Sequence, residues 1–189
     1  VEGPVVGRTD SARSTIMVRS GSDGVCAAST LRPSSRGLPP SRRTMYETIL
    51  VPTDGSPGAE AAAAHAVDLA KEHGAAVHAL YVVDVRMSPI SADMDHDEVV
   101  ALVEESDRNP TAAVLDRAEA ADVPAVEAIR LGVPHRCIRE YAEAEGVDLV
   151  VMGTHGRTGI QHALIGSVTE RVVRTLDVPV LTIHPERGD

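Results

Sequence analysis

A chain of 189 residues is long enough to form one domain with a substantial core. Aromatic residues are scarce, with three Tyr and neither Phe nor Trp, so that core must be built from Val, Leu, Ile and Ala. The formal net charge of −10 argues against a general affinity for the phosphates of nucleic acids. No apolar run approaches the roughly 20 residues of a membrane span, and a secretory signal is lacking. The sequence therefore predicts a cytoplasmic protein that binds neither nucleic acid nor membrane.

Residues 1–44 differ in composition from the rest of the chain. They contain seven Arg and three acidic residues among scattered Ser, Gly and Pro, without a sustained hydrophobic period. Two interpretations stay open: a disordered basic tail, or an over-extended N-terminus with translation beginning at Met45. Either way the predicted domain spans 45–189, and we assign the first segment no function.

Strands and helices alternate along residues 45–189. Apolar runs predict strands at 48–53, 76–84, 125–131, 148–153 and 179–184. Helical periods lie at about 57–73, 98–121, 134–145 and 167–176. Ser56 followed by Pro57 is typical of a helix start and Gly74 of a helix end, while Pro110 predicts a break near Asn109. The alternation indicates a doubly wound, five-stranded parallel sheet of Rossmann-like α/β type, with helices on both faces.

A glycine-rich segment follows the fourth predicted strand, with glycines at 153, 156, 159 and 166. A strand, a glycine loop and a helix N-terminus together favour phosphate binding, because bare backbone and unpaired N–H groups can approach an anion. We expect Gly153 to leave backbone open to a ribose and Gly156 to adopt a positive φ.

A purely structural interpretation of the same loop stays open. Ser167 is a good N-cap, and with Glu170 it forms the pattern of a capping box. This would account for Ser167 and Glu170 without any ligand. It would not account for the other glycines, so phosphate binding is favoured.

The common phosphate-loop signatures do not match. A Walker loop requires GxxxxGK[ST], and the single lysine of the chain, Lys71, lies elsewhere. The first strand ends in Pro-Thr-Asp-Gly-Ser rather than in a GxGxxG fingerprint.

The spacing that does match is Gly153, two residues, Gly156, nine residues, then Gly166-Ser167. Together with ILVPTDGS, DLVVMGTHGRTG, GSVTERVV and VPVLTIH, it resembles the ATP-binding subgroup of the universal stress protein family over about residues 46–184. The resemblance implies the strand order 3-2-1-4-5 and a homodimer. We expect pairing through the edge strand that runs from Pro179 to His184, because an apolar edge invites strand association.

In that order the first and fourth strands are neighbours, at the switch point where open α/β sheets bind ligands. Asp54 would then face the glycine loop and accept a hydrogen bond from a ribose hydroxyl, although Asp-Gly is also ordinary turn chemistry. Val82 and Val83 would contact adenine, as the matching segment does in the family, or serve only as core. Arg157 would pair with phosphate or be a solvated loop residue. The predicted nucleotide-binding residues are Pro52, Thr53, Asp54, Val82, Val83, Met152, Gly153, Gly156, Arg157, Gly166, Ser167 and Val168.

Catalytic and metal-binding patterns are missing. His96, His155 and His162 do not have the spacing of a zinc site. We expect any metal to be Mg²⁺ or Mn²⁺ carried by the phosphates of ATP. Without a Walker lysine or a placed general base, slow ATP hydrolysis is the most that the residues support.

The sequence thus predicts an ATP-binding universal stress protein that acts as a cytoplasmic stress-response sensor or regulatory module. The alternative is a homodimeric interaction protein of the same fold that binds no nucleotide. An enzyme of the related adenine-nucleotide α-hydrolase type ranks last, because that type carries an SGGxDS-like loop where this chain has PTDGS. The residues do not distinguish AMP, ATP and a cyclic nucleotide as the ligand.

Overall fold

A computed structural model describes residues 15–19, 45–86, 98, 101–103, 106, 109–156 and 165–184. Its strands are β1 (Thr15–Arg19), β2 (Thr48–Pro52), β3 (Ala76–Asp84), β4 (Ala125–Gly132), β5 (Leu149–Gly153) and β6 (Val180–Ile183). Its helices are α1 (Pro57–His73), α2 (Ala112–Ala120), α3 (Pro134–Glu145) and α4 (Ser167–Thr175). Within these ranges, no helix is both long enough and apolar enough to cross a membrane.

The strands form one sheet in the order β1-β4-β3-β2-β5-β6. Its five strands from β4 to β6 are parallel, which confirms the doubly wound sheet and the order 3-2-1-4-5. The additional strand β1 pairs antiparallel with the outer side of β4. It was not predicted, because a five-residue edge strand in a segment without a hydrophobic period gives no recognisable signal.

Local signals set both ends of α1 where we predicted them. The Ala59 amide donates to Ser56 Oγ at 3.3 Å, so Ser56 caps α1. At the other end Gly74 has a φ of 69°, the left-handed conformation of a helix stop. The predicted helix at 98–121 is interrupted, since Asn109 and Pro110 lie outside α2. Pro110 lacks the N–H that a continuous helix would require.

Two hydrophobic cores cover the faces of the sheet. One lies under α1 and α2 and contains a row of buried alanines of α1, including Ala62, Ala66 and Ala70. The other lies under α3 and α4 and includes Leu80 and Val150. Because alanine is small, α1 can lie close to the sheet. This close approach leaves little room for side chains at the end of β5.

A half-buried histidine, His78 of β3, contacts the second core. Tyr141 of α3 is fully buried, and its hydroxyl is hydrogen-bonded to His78 Nδ1 at 2.9 Å. Burial lowers the pKa of His78 below its ordinary value of 6.5, against a smaller opposite effect of Glu145. The folded protein therefore holds this imidazole neutral at a pH where the unfolded chain would protonate it.

This lowered pKa predicts a loss of stability in mild acid. Below about pH 6.5 the unfolded state binds more protons than the folded state, so the free energy of unfolding should fall as the pH drops towards 5, by at most about 1.4 kcal/mol per pH unit for one group. Urea denaturation at several pH values measures this pH dependence of the free energy of unfolding. A His78→Gln variant should have a shallower slope, with His135, whose pKa is also lowered, retaining part of it. An unchanged slope in the variant would contradict this assignment.

Candidate functional site

The carboxyl ends of β2 and β5 lie side by side at the switch point of the sheet. Ile49 pairs with Leu149 and Leu50 with Val150, so the segments that follow the two strands meet. A cavity of about 460 Å³ opens there, a size typical of small-molecule sites. Its lining consists of Pro52, Thr53, Asp54, Ser56, Ala59, Leu80, Tyr81, Val82, Val83, Asp84, Pro134, Ile138, Met152, Gly153, His155, Gly156, Gly166, Ser167, Val168 and Thr169.

Every residue in the predicted binding set lines this cavity except Arg157, which lies outside the described residues. Asp54 and Gly156, a hundred positions apart, thus face the same space. Sequence reasoning missed several lining residues, among them Asp84, Pro134, Ile138 and Thr169. Asp84 directly follows the predicted Val83 and could have been found by extending β3 one residue. Pro134 and Ile138 could not, because they reach the cavity only through the packing of α3.

Gly153 lines the cavity and is also required for the packing of α1 against the end of β5. A Cβ at this position would lie 2.6 Å from the carbonyl carbon of Gly58 and 2.8 Å from its oxygen. Both atoms belong to the backbone of the first turn of α1, which cannot move without shifting the helix. The missing side chain of Gly153 therefore lets α1 approach the end of β5.

Gly156 is required for a different reason than the one we expected. Its φ is not positive, so no left-handed turn explains the glycine. A Cβ here would lie 2.7 Å from Asp54 Oδ2. The other carboxylate oxygen, Oδ1, accepts a hydrogen bond from the Ser56 amide at 3.1 Å. Asp54 thus both closes its own turn and presents an oxygen against the glycine loop.

Ser167 does not cap α4, so the predicted capping box is wrong. The N-cap is Gly166, held in an extended conformation by a 2.7 Å hydrogen bond from its amide to the Thr154 carbonyl. Ser167 becomes the first helical residue, and no side-chain hydrogen bond caps the helix. The Glu170 carboxylate lies instead against Arg174, one turn further on, at 3.4 Å.

Hydrogen bonds tie the two loops and the helix together at the cavity. The Ser56 hydroxyl, which caps α1, also donates to the His155 carbonyl at 3.5 Å. On the opposite side, the buried Thr169 hydroxyl donates to the Gly153 carbonyl at 2.9 Å. The end of β5 is therefore fixed to both α1 and α4, so the cavity wall is held in place by the fold.

At the far end of the cavity the Asp84 carboxylate is fixed by Arg86. The Arg86 Nε donates to Oδ1 at 2.9 Å and its Nη2 to Oδ2 at 2.6 Å. This pairing lowers the pKa of Asp84, so the carboxylate stays ionised. The arrangement offsets the negative charge of Asp84 at this end of the cavity.

Several arginines lie near the start of α3, although the chain as a whole is acidic. His135 follows the lining residue Pro134, and its Nδ1 is buried without a hydrogen-bond partner. Burial lowers the pKa of His135, and the nearby charges of four arginines lower it further. These residues are Arg171, Arg136, Arg86 and Arg139. None of these arginines lines the cavity, and two of them are paired, Arg86 with Asp84 and Arg139 with Glu143.

The described residues offer binding groups rather than reactive ones. They contain no group of three His, Cys, Asp or Glu side chains that could hold a metal ion. The thiol of Cys137 is buried, and burial raises its pKa, which makes it a poor nucleophile. The site instead combines a carboxylate, a hydroxyl, a helix N-terminus and an apolar slot. Such a set suits a ligand with hydroxyl groups, an anionic group and a flat apolar part.

The two loop glycines should respond differently to an added methyl group. Gly153→Ala should lower the free energy of unfolding by roughly 1–3 kcal/mol, because the new Cβ meets backbone on α1. Gly156→Ala should cost less than about 1 kcal/mol, because the Asp54 side chain can rotate away. Urea denaturation of both variants compares them. Equal losses would contradict the different roles given to these glycines.

Comparison with known proteins identifies related chains. The model of the universal stress protein family matches residues 45–184. A universal stress protein of Methanocaldococcus jannaschii, MJ0531, is 40% identical over 148 residues, which cover 77% of this chain and 86% of that protein.

Solved structures show the same likeness. The structure of MJ0577, which at 31% identity is also a curated M. jannaschii relative, superposes with a TM-score of 0.67 at 33% identity and covers 76% of this chain and 99% of that one. A universal stress protein solved in complex with cAMP has a TM-score of 0.54 and 27% identity, covering 75% of this chain and 98% of that one.

Proposed function

The chain belongs to the universal stress protein family, and we propose that it binds an adenine nucleotide, ATP in particular, in the cavity between β2 and β5. The observation that carries the proposal is the meeting of Asp54 with the glycine loop, where a Cβ on Gly156 would collide with the carboxylate. The ribose hydroxyls would donate to Asp54. The adenine would lie against Val82 and Val83 in the apolar slot.

The phosphates would lie at the start of α4. Ser167 is the first residue of the helix rather than its cap, Ser167 and Val168 line the cavity, and the first amides of a helix have no acceptor within it. Mg²⁺ or Mn²⁺ would be held by the phosphates themselves, since the described residues provide no metal site of their own. A relative solved with cAMP further supports an adenine nucleotide as the ligand class.

Calorimetric titration of the full chain with ATP and Mg²⁺ tests this proposal. Asp54→Asn keeps an acceptor for the Ser56 amide but loses the charge, so it should weaken binding about tenfold. Ser167→Ala should weaken ATP binding more than adenosine binding, because only ATP carries phosphates. The matched control is Asp116→Asn, the same change at an exposed position of α2 outside the cavity.

Two results would contradict the proposal. Equal affinities of Asp54→Asn and Asp116→Asn for ATP would mean that Asp54 does not contribute to binding. Absence of any saturable binding by the wild-type chain would favour the interaction protein of the same fold that binds no nucleotide. AMP and cAMP, titrated in parallel, would define which adenine nucleotide is preferred.

We further propose that the protein forms a homodimer through β6 and acts as a cytoplasmic regulatory module whose partner surface responds to the nucleotide. Among the described strands β6 pairs only with β5, which leaves its other edge open. Leu181 on this strand is 37% exposed, and Val173 on α4 is exposed as well. An open apolar edge favours pairing with a second copy.

Light scattering after size exclusion measures this assembly. We expect a mass of twice the 19.9 kDa of one chain at micromolar concentration. Leu181→Lys should shift the protein towards monomer, because a charge on the edge opposes strand pairing. Leu102→Lys, at another exposed leucine, is the control. A monomeric wild-type protein would rule out the dimer.

A further inference from the structure

A buried carboxylate lies behind the cavity without reaching it. Glu127 is in the middle of β4 and is 3% exposed, on the face of the sheet that α1 and α2 cover. Burying a carboxylate costs free energy unless hydrogen bonds compensate it. Glu127 is not among the cavity residues, so the proposed ligand contacts do not explain why it is there.

Its hydrogen bonds hold the segment that leads into α2. Asn109 Nδ2 donates to Glu127 Oε1 at 2.8 Å, and the Thr111 hydroxyl donates to the same oxygen. Asn109 Oδ1 in turn accepts from the Thr111 amide at 3.1 Å. The carboxylate therefore fixes the residues on both sides of Pro110.

Pro110 connects the segment held by Glu127 to the cavity. Its carbonyl accepts a hydrogen bond from the Thr53 hydroxyl at 3.2 Å. The same hydroxyl accepts from the Gly55 amide at 3.2 Å. Thr53 lines the cavity and directly precedes Asp54. Gly55 follows Asp54 and has a φ of 72°. The turn that presents Asp54 is thus held from outside by Pro110.

We propose that Glu127 is a positioning residue for the ligand: through Asn109, Thr111 and the Pro110 carbonyl it orients Thr53, and thereby the Asp54 carboxylate that binds the ribose. This inference rests on the proposed function. An apolar residue at 127 would leave the Asn109 side-chain amide without its acceptor, while the Thr111 hydroxyl could still donate to Asn109 Oδ1 at 2.7 Å. The residues on both sides of Pro110 would then no longer be tied to β4. A binding carboxylate that is displaced by even 1 Å loses much of its hydrogen bonding, so supporting contacts of this kind set affinity.

The test compares ATP with 2′,3′-dideoxy-ATP, which lacks the ribose hydroxyls, in calorimetric titrations of the full chain. In the wild type the dideoxy analogue should bind at least about tenfold more weakly. In Glu127→Leu the affinity for ATP should fall about tenfold while the affinity for the analogue stays unchanged. The ratio of the ATP affinity to the analogue affinity should therefore approach one. Glu127→Gln keeps an oxygen for both donors and should restore the ratio to within about twofold of the wild type.

A merely structural role predicts another pattern. If Glu127→Leu weakened both nucleotides equally, leaving the ratio unchanged, the proposal would be overturned. Thr53→Val provides a second variant should Glu127→Leu fail to fold, because it breaks the bond to Pro110 and leaves Glu127 intact. Its ratio should also approach one, and a full wild-type ratio would overturn the proposal. Absence of binding by the wild type would refute the proposed function and this inference with it, whereas wild-type binding with an unchanged ratio in Glu127→Leu would refute the inference alone.

Discussion

The close approach of α1 to the end of β5 is the constraint on which the site depends. Gly153 and Gly58 touch through their backbones, and no side chain fits between them. This contact brings the start of α1, with Ser56 and the turn that carries Asp54, against the glycine loop. The buried alanines of α1 make the approach possible along its length. A cavity forms because two loops are held this close at the point where the strand order reverses.

Local features of the fold could be predicted from the sequence, because a few neighbouring residues determine them. The Ser56 cap, the Gly74 stop and the interruption at Pro110 depend on side chains within four positions. Alternating apolar runs and helical periods then identified the five parallel strands. The order of the strands came from the family resemblance, since spacing along the chain does not determine which strands are neighbours.

The roles of single residues at the site were harder to predict, because they depend on contacts between distant segments. Gly156 was expected to serve a turn, but its partner is Asp54, a hundred positions earlier. Ser167 fits a capping-box pattern, yet a bond from the Gly166 amide to Thr154 moves the cap one residue back. Glu127 gave no signal at all, since a glutamate in a strand is ordinarily a surface residue. Its burial follows from the path of the chain at Asn109.

Charge in this molecule is distributed against its overall balance. The chain is acidic, but arginines lie near His135 at the start of α3, and the Asp84 carboxylate at the adjoining end of the cavity is paired with Arg86. In general a net negative charge disfavours binding to nucleic acids, while positive charge near a site attracts small anions. Both features agree with the proposed binding of a free nucleotide.

The most direct test of the account is a crystal structure of the full chain grown with ATP and Mg²⁺. We predict that the nucleotide occupies the cavity, with a ribose hydroxyl within about 3.2 Å of an Asp54 oxygen and phosphate oxygens at the amides of Ser167 and Val168. A nucleotide bound elsewhere, or one whose ribose lies away from Asp54, would contradict it.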